Sequence, residues 1–232
     1  MRRKFSIGSE VDLSTVVEAT ICGISQHPRR PDRYFVRLDA DGEFVHKLLI
    51  TDEALVQLNL KVGQVIHTGF IAQLVETADL TKAFDSAVNS LAFKGRARLE
   101  LQRLLQRKGL QVIHIEPALD KLEALGVIND TEFARSFVRA KVFGRGTSVM
   151  ALRRDLGRKG VPREIASAAI DEVMAEQSVD ESDVARTEAA KRWRALSKLE
   201  PEVAKRRLIG FLQRRGFGGD IVRTVVRELT GR

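Results

Sequence analysis

Cysteine is all but missing from this chain of 232 residues: Cys22 is the only one. A disulfide within the chain is excluded, and so is a cysteine-built zinc fold. The four histidines, His27, His46, His67 and His114, lie far apart and without ligand spacing, so no metal site is expected. No run of eighteen apolar residues occurs, which predicts no membrane-spanning helix. The opening MRRKFSIGSEVDL is basic, but no apolar stretch follows it, so a secretory signal is not expected. With a lone thiol, this sets the expectation of a cytoplasmic protein.

Catalytic patterns are missing too. There is no GxSxG, no HExxH and no cysteine–histidine pairing. Phe143-Gly144-Arg145-Gly146-Thr147-Ser148 is faintly like a phosphate loop. It lacks the GxxxxGK[ST] spacing and follows a helical pattern rather than a strand. It reads as a turn between helices. The acid pairs Asp171–Glu172 and Asp180–Glu181 read as solvated or linker residues. Trp193, Phe211 and Phe217 sit at helical spacing among leucines, which makes them core rather than base-stacking platforms. The expectation is a protein without catalysis, cofactor or metal.

What the chain has in excess is positive charge, +8 overall, and it is unevenly placed. Residues 1–80 carry nine Lys or Arg against eleven Asp or Glu; residues 81–232 carry thirty against twenty. A basic helical segment suits nucleic acid or an acidic protein groove, with solubility as the plainer explanation.

The basic part repeats. LQRLLQRKGL (Leu101 to Leu110) returns as LRRDLGRKGV (Leu152 to Val161) and as LIGFLQRRGF (Leu208 to Phe217). Leu101, Leu152 and Leu208 share one position. Leu105, Leu156 and Leu212 follow four residues on, hence on the same helix face. Gly109, Gly160 and Gly216 then stand where a helix needs a left-handed residue to stop. A Schellman stop would seat Leu110 on Leu105, Val161 on Leu156 and Phe217 on Leu212. The cations recur as well: Arg103 with Arg154; Arg107, Arg158 and Arg214; Lys108, Lys159 and Arg215. Cations next to the stop favour the negative end of the helix dipole. That accounts less well for Arg153–Arg154 and Arg206–Arg207, which stand further up their helices.

Each phrase has a helical pattern on either side. Those before it are Ala83–Phe93, Glu132–Phe143 and Val184–Leu196. Those after it are Pro117–Leu125, Pro162–Met174 and Asp220–Leu229. Pro162 and Pro201 suit a first helical turn, and Asn129 or Asp130 suits an N-cap. The repeat frame would start the Pro117 helix near Val112, so a late start or a kink is expected there. The expected fold is mainly α: three tandem three-helix repeats in an elongated array, at 81–128, 129–180 and 181–232. A β-rich module at 1–80 precedes them. It contains strands at Thr15–Ile24, Arg33–Asp39 and Glu43–Ile50, a turn at Asp39–Gly42 and a loop at Gln26–Asp32. Two short helices begin near Thr51 and Thr68, linked by Leu60–Ile66.

The ordered blocks LDKLEALGVINDTEFARSFVRAKVFGRG, LRRDLGRKGVPREI and KRRLIGFLQRRGFGGDIVRTVVREL resemble the RecX family of recombination regulators over about residues 80–230. The chain lacks the family's Pro-Arg-Ser pattern at Lys94–Arg98 and the proline that often follows its Gly146. The resemblance implies a protein without catalysis that lies in the groove of the RecA recombinase filament and restrains ATP hydrolysis and strand exchange. DNA contact occurs in some members. Matching positions are Phe133, Arg135, Arg139, Lys141 and Arg145 in the second repeat, and Arg206, Arg207, Arg214 and Arg215 in the third. With Arg103, Arg107, Arg153, Arg154 and Arg158 they form the candidate partner- or DNA-binding set. A monomer is expected. Two other readings stand beside this one. The first is a stand-alone helix-turn-helix-like protein holding single- or double-stranded DNA phosphates through the repeat arginines. The second is a helical scaffold for another acidic protein.

Overall fold

The structure, a computed structural model, describes residues 13–40, 42, 45–176 and 178–231. It divides into two compact units. The first holds the residues up to Phe93 together with Gln102–Leu125; the second holds Lys94–Leu101 and the residues from Gly126 onward.

The first unit is built on an antiparallel sheet. Its strands are β1 (Glu18–His27), β2 (Arg30–Asp39), β3 (Val45–Thr51) and β4 (Val65–His67), in the order β3-β2-β1-β4. Alternate residues face one core: Ala19 and Ile21 of β1, Val36 and Leu38 of β2, Ile50 of β3 and Ile66 of β4. Helix α1 (Asp52–Gln57) starts at Thr51, whose hydroxyl accepts from the Ala54 N–H at 3.1 Å. That is the hydroxyl cap its sequence predicts.

Three expectations for this region change. β4 lies in the segment expected to be a linker; Glu18, Ala19 and Thr20 pair with His67, Ile66 and Val65. The loop expected at Gln26–Asp32 shrinks to a turn at Pro28 and Arg29, because β1 and β2 run on to His27 and Arg30. The helix beginning at Thr68 is not short: α2 runs unbroken to Phe93. No proline, and no glycine after Gly69, interrupts it, so nothing in the chain ends it at the expected 80–81 boundary. Ile71, Leu74 and Ala78 pack on the sheet core, while the later Ala83 and Ala87 are also fully buried. The Thr68 hydroxyl donates to the Val17 carbonyl at 3.2 Å rather than capping the helix.

α3 (Arg98–Arg107) and α4 (Val112–Ala124) complete the first three-helix set with the end of α2. α4 starts at Val112, where the repeat frame puts it, and its helical hydrogen bonding continues past Pro117 to Ala124. The late start is therefore corrected. Pro117 removes one helical hydrogen bond near the helix start, and Ile115, Ala118, Leu119 and Leu122, all buried, hold the helix in place.

The second unit holds α5 (Asp130–Arg145), α6 (Val149–Lys159), α7 (Arg163–Glu176), α8 (Glu181–Ala195), α9 (Pro201–Arg214) and α10 (Gly219–Thr230). They form two three-helix sets, each with its own core. Val138, Leu152, Leu156 and Ile170 anchor the first; Leu208, Leu212, Val222 and Val225 anchor the second. Small residues, Ala134 and Ala185, are fully buried at matching places on α5 and α8. Asn129 caps α5 by accepting from the Glu132 N–H at 3.0 Å, and Pro201 occupies the first turn of α9, as the sequence predicts.

Candidate partner-binding surface

The three helix stops share one geometry. Gly109, Gly160 and Gly216 have φ of 82°, 85° and 86°. Leu110, Val161 and Phe217 each donate back to the carbonyl five residues earlier, on Leu105, Leu156 and Leu212, at 3.2, 3.1 and 3.2 Å. Each glycine N–H donates to the carbonyl three residues back, at 2.9 to 3.0 Å. This pair of bonds is the Schellman motif, here used three times.

Against this frame the candidate residues fall into two groups. The first is engaged within the chain. Arg135 Nη1 donates to Glu132 Oε1 at 2.6 Å and its Nε to Glu172 Oε2 at 2.8 Å. Arg139 donates to Glu176 at 2.7 Å. Both tie α5 to α7. Lys141 lies 3.5 Å from Asp155 and over the Phe137 ring. Phe133 is half-buried against the core and stacks on Phe137. Arg215 reaches Glu188 and covers the Phe211 ring, 5.2 Å from its centroid. The Arg145 side chain lies outside the described part of the structure.

The second group faces solvent. Arg103 and Arg107 are exposed on α3 of the first unit. Arg153, Arg154 and Arg158 are exposed on α6. Arg154 and Arg158, with Lys141, surround the single carboxylate of Asp155 at 3.5 to 4.0 Å. Three cations on one anion leave a local positive excess. On α9, Arg206, Arg207 and Arg214 are exposed. Arg207 and Arg214 stand two turns apart on one side of the helix.

Sequence reasoning missed the counterpart of Arg135. Arg186 of α8 donates to Asp183 at 2.6 Å and to Glu228 of α10 at 2.9 Å. This is the same first-helix-to-third-helix tie in the next repeat. The signal was present: Val184-Ala185-Arg186 aligns with Phe133-Ala134-Arg135. It also missed the buried pair in the first unit. Arg33 donates from Nη2 to Asp85 Oδ1 at 2.7 Å, and Arg30 donates to the other carboxylate oxygen at 2.6 Å. Burial alone would lower the Arg33 pKa; the Asp85 hydrogen bond and charge outweigh it, and the net shift is upward.

The acids expected to be solvated also have work. Glu172 takes Arg135. Asp180 caps α8 by accepting from the Ser182 N–H at 2.8 Å, and Glu181 accepts from the Val149 N–H at 2.9 Å. Phe217 is buried, and Trp193 and Phe211 pack on the same core, as their spacing predicts. Gly146 ends α5 with φ of 54° and Ser148 caps α6, so the turn expected over Phe143–Ser148 shrinks to Gly146–Ser148, and Phe143, Gly144 and Arg145 belong to the last turn of α5. Among the described residues no three His, Cys, Asp or Glu cluster as a metal site, and no helix is long and apolar enough to cross a membrane.

Fold and surface together define a tandem three-helix repeat protein with exposed arginines on its second helices. Comparison with known proteins agrees. The family model for the third three-helix domain of RecX matches residues 180–226, and that for the second matches residues 129–170. The regulatory protein RecX of Amycolatopsis mediterranei is 36% identical over 157 residues, which span 68% of this chain and 88% of that protein. The RecX of Geobacillus thermodenitrificans is 25% identical over 213 residues, 91% of this chain and 78% of the relative. A solved structure of regulatory protein RecX superposes with a TM-score of 0.69 at 21% identity, covering 89% of this chain and 98% of the other, and shares its fold. RecX from Lactobacillus salivarius gives 0.56 at 25% identity, over 65% and 96% of the two chains. The chain belongs to the RecX family of regulatory proteins.

Proposed function

We propose that this chain regulates the RecA recombinase by binding its filament through the arginines of the second helices, without chemistry of its own. The observation that carries the reading is the division of the basic residues. First-helix arginines Arg135, Arg139 and Arg186 meet carboxylates of their own repeats, whereas the exposed Arg153, Arg206, Arg207 and Arg214 meet none among the described residues. Repeats at 81–128, 129–180 and 181–232 would each offer one such edge. Many weak contacts on several subunits of a polymer then act as one multivalent ligand. Arg135, Arg139 and Lys141 position the scaffold in this reading, while Arg103, Arg107, Arg154 and Arg158 extend the contact set. The test is co-sedimentation with preformed RecA–DNA filaments, with DNA-dependent ATP hydrolysis measured alongside. No binding, and no change in hydrolysis at a severalfold excess over protomers, would refute it.

The same exposed guanidiniums favour a second reading, direct binding of single- or double-stranded DNA phosphates. If about six phosphates of a single strand are neutralised, log affinity should fall with log salt at a slope of about −4. A flat slope in the absence of RecA removes this reading and leaves the first.

A further inference from the structure

Among the described residues, two of the three stops are covered and the third is not. A Cβ built on Gly160 would fall 2.6 Å from Leu99 Cδ2, and one on Gly216 would fall 2.7 Å from Ser148 Oγ. Leu99 is the second residue of α3 and Ser148 is the N-cap of α6. Each stop is therefore seated on the first turn of the second helix in the preceding repeat. Polar ties hold both seats. The Arg98 N–H donates to Asp130 Oδ1 at 2.8 Å, and the Val149 N–H, at the same repeat position, donates to Glu181 Oε1 at 2.9 Å. Lys159, just before its glycine, reaches Glu100 at 2.8 Å. The Ser148 hydroxyl donates to the Arg215 carbonyl, just before the other glycine, at 2.7 Å.

The first repeat carries the same stop with nothing seated on it among the described residues. Gly109 has the same left-handed φ, is exposed, and has no heavy atom within 4 Å of a Cβ placed there. Lys108, aligned with Lys159, is exposed and reaches Ser90 of its own repeat at 3.3 Å. The turn that follows is apolar in this repeat alone. Val112 and Ile113 are 46% and 66% exposed, where the other repeats have Arg163 and Glu164, or Gly219 and Asp220. Exposed apolar residues beside a preformed seat are the mark of a contact surface.

A second copy of the chain is a poor occupant. Ala204, which aligns with Ser148, is buried inside α9, because that helix starts a turn earlier. Its first residue is Pro201, which has no N–H to give. Glu200 caps the helix itself by accepting from the Val203 N–H at 3.1 Å. The first turn of α9 thus lacks the free N–H and the hydroxyl that tie the other two seats.

We propose that Gly109, with Lys108, Val112 and Ile113, receives the first helical turn of a different protein. That turn carries an apolar residue at its second helical position and a carboxylate at its third, as Leu99 and Glu100 do within this chain. The proposal stands apart from the recombinase reading.

The probe is a helical peptide of residues 95–107, with a hydrocarbon staple joining positions 103 and 107, titrated into the full-length ¹⁵N-labelled protein. Amide shifts should centre on Lys108–Ile113 and saturate with a dissociation constant of about 1 mM or below. The peptide carrying Leu99→Ser, and the protein carrying the exposed substitution Ile113→Asp, should each weaken binding about tenfold, about 1.4 kcal/mol. Absence of shifts at about 5 mM peptide, shifts centred elsewhere, or binding indifferent to Ile113→Asp would overturn the proposal.

Discussion

Arg135 joins Glu172 across 37 residues of sequence, and the contact crosses from the first helix of its repeat to the third. Arg186 and Glu228 repeat it. Both guanidiniums are held above their ordinary pKa, first by the hydrogen bond to the third-helix glutamate and then by the acid on their own helix. A raised pKa means that the stabilising contribution is complete below the ordinary arginine value and is lost only as pH rises past the shifted one. These ties therefore persist across the neutral range. Arg135→Glu should lower the thermal unfolding temperature, and adding Glu172→Arg should recover part of the loss. Differential scanning calorimetry checks both. If Arg135→Glu weakens filament binding with no thermal effect, Arg135 is a contact residue and not a positioning one.

Asp85 is a sharper case because its partner is buried. Arg33 is 8% exposed and Asp85 takes two of its nitrogens as well as Arg30. Removing one member of a buried pair strands the other, at a cost of about 3 kcal/mol. Asp85→Ala should destabilise the first unit by about that amount in urea unfolding. Arg33→Met with Asp85→Leu should cost much less, since no buried charge is left unpartnered; Arg30, which loses the same carboxylate, has a side chain 35% exposed and can turn to water. Equal losses would show that packing, and not the ion pair, sets the penalty.

The parts of the fold that depend on local chemistry were legible in the sequence. A glycine followed by an apolar residue five after another apolar residue is a complete description of a Schellman stop, and all three copies close that way. Caps at Thr51 and Asn129 are equally local. What escaped were features set by partners distant in sequence. β4 is three residues long and exists because β1 offers it an edge. α2 is continuous because its two halves serve different neighbours, which no window of the sequence reveals. The candidate surface was half legible. Repetition located the arginines, but only the fold distinguishes Arg135, held by two carboxylates, from Arg206, which faces solvent.

Gly109 and Gly160 separate backbone strain from packing. Both have left-handed φ, so alanine at either should cost about 1–2 kcal/mol in conformational energy. At Gly109 that is the whole cost, because nothing lies within 4 Å of the new methyl group. At Gly160 the methyl group meets the Leu99 side chain, which adds about 1–3 kcal/mol of overpacking. Chemical denaturation should therefore rank Gly160→Ala as clearly the less stable. Equal losses would mean that the turn at Leu99 yields freely.

Arg206→Glu/Arg207→Glu is the decisive pair for function. Both side chains are exposed on α9, so the change should alter the unfolding free energy by no more than about 0.5 kcal/mol. If these arginines hold the filament, two charge reversals should weaken co-sedimentation about tenfold or more, with the loss greatest at low salt, where screening is weakest. If they hold DNA phosphates instead, affinity for free DNA should fall and its salt slope should flatten by about two. Intact binding in both assays would move the contact away from α9 and leave α6, with Arg153, Arg154 and Arg158, as the edge to reverse next.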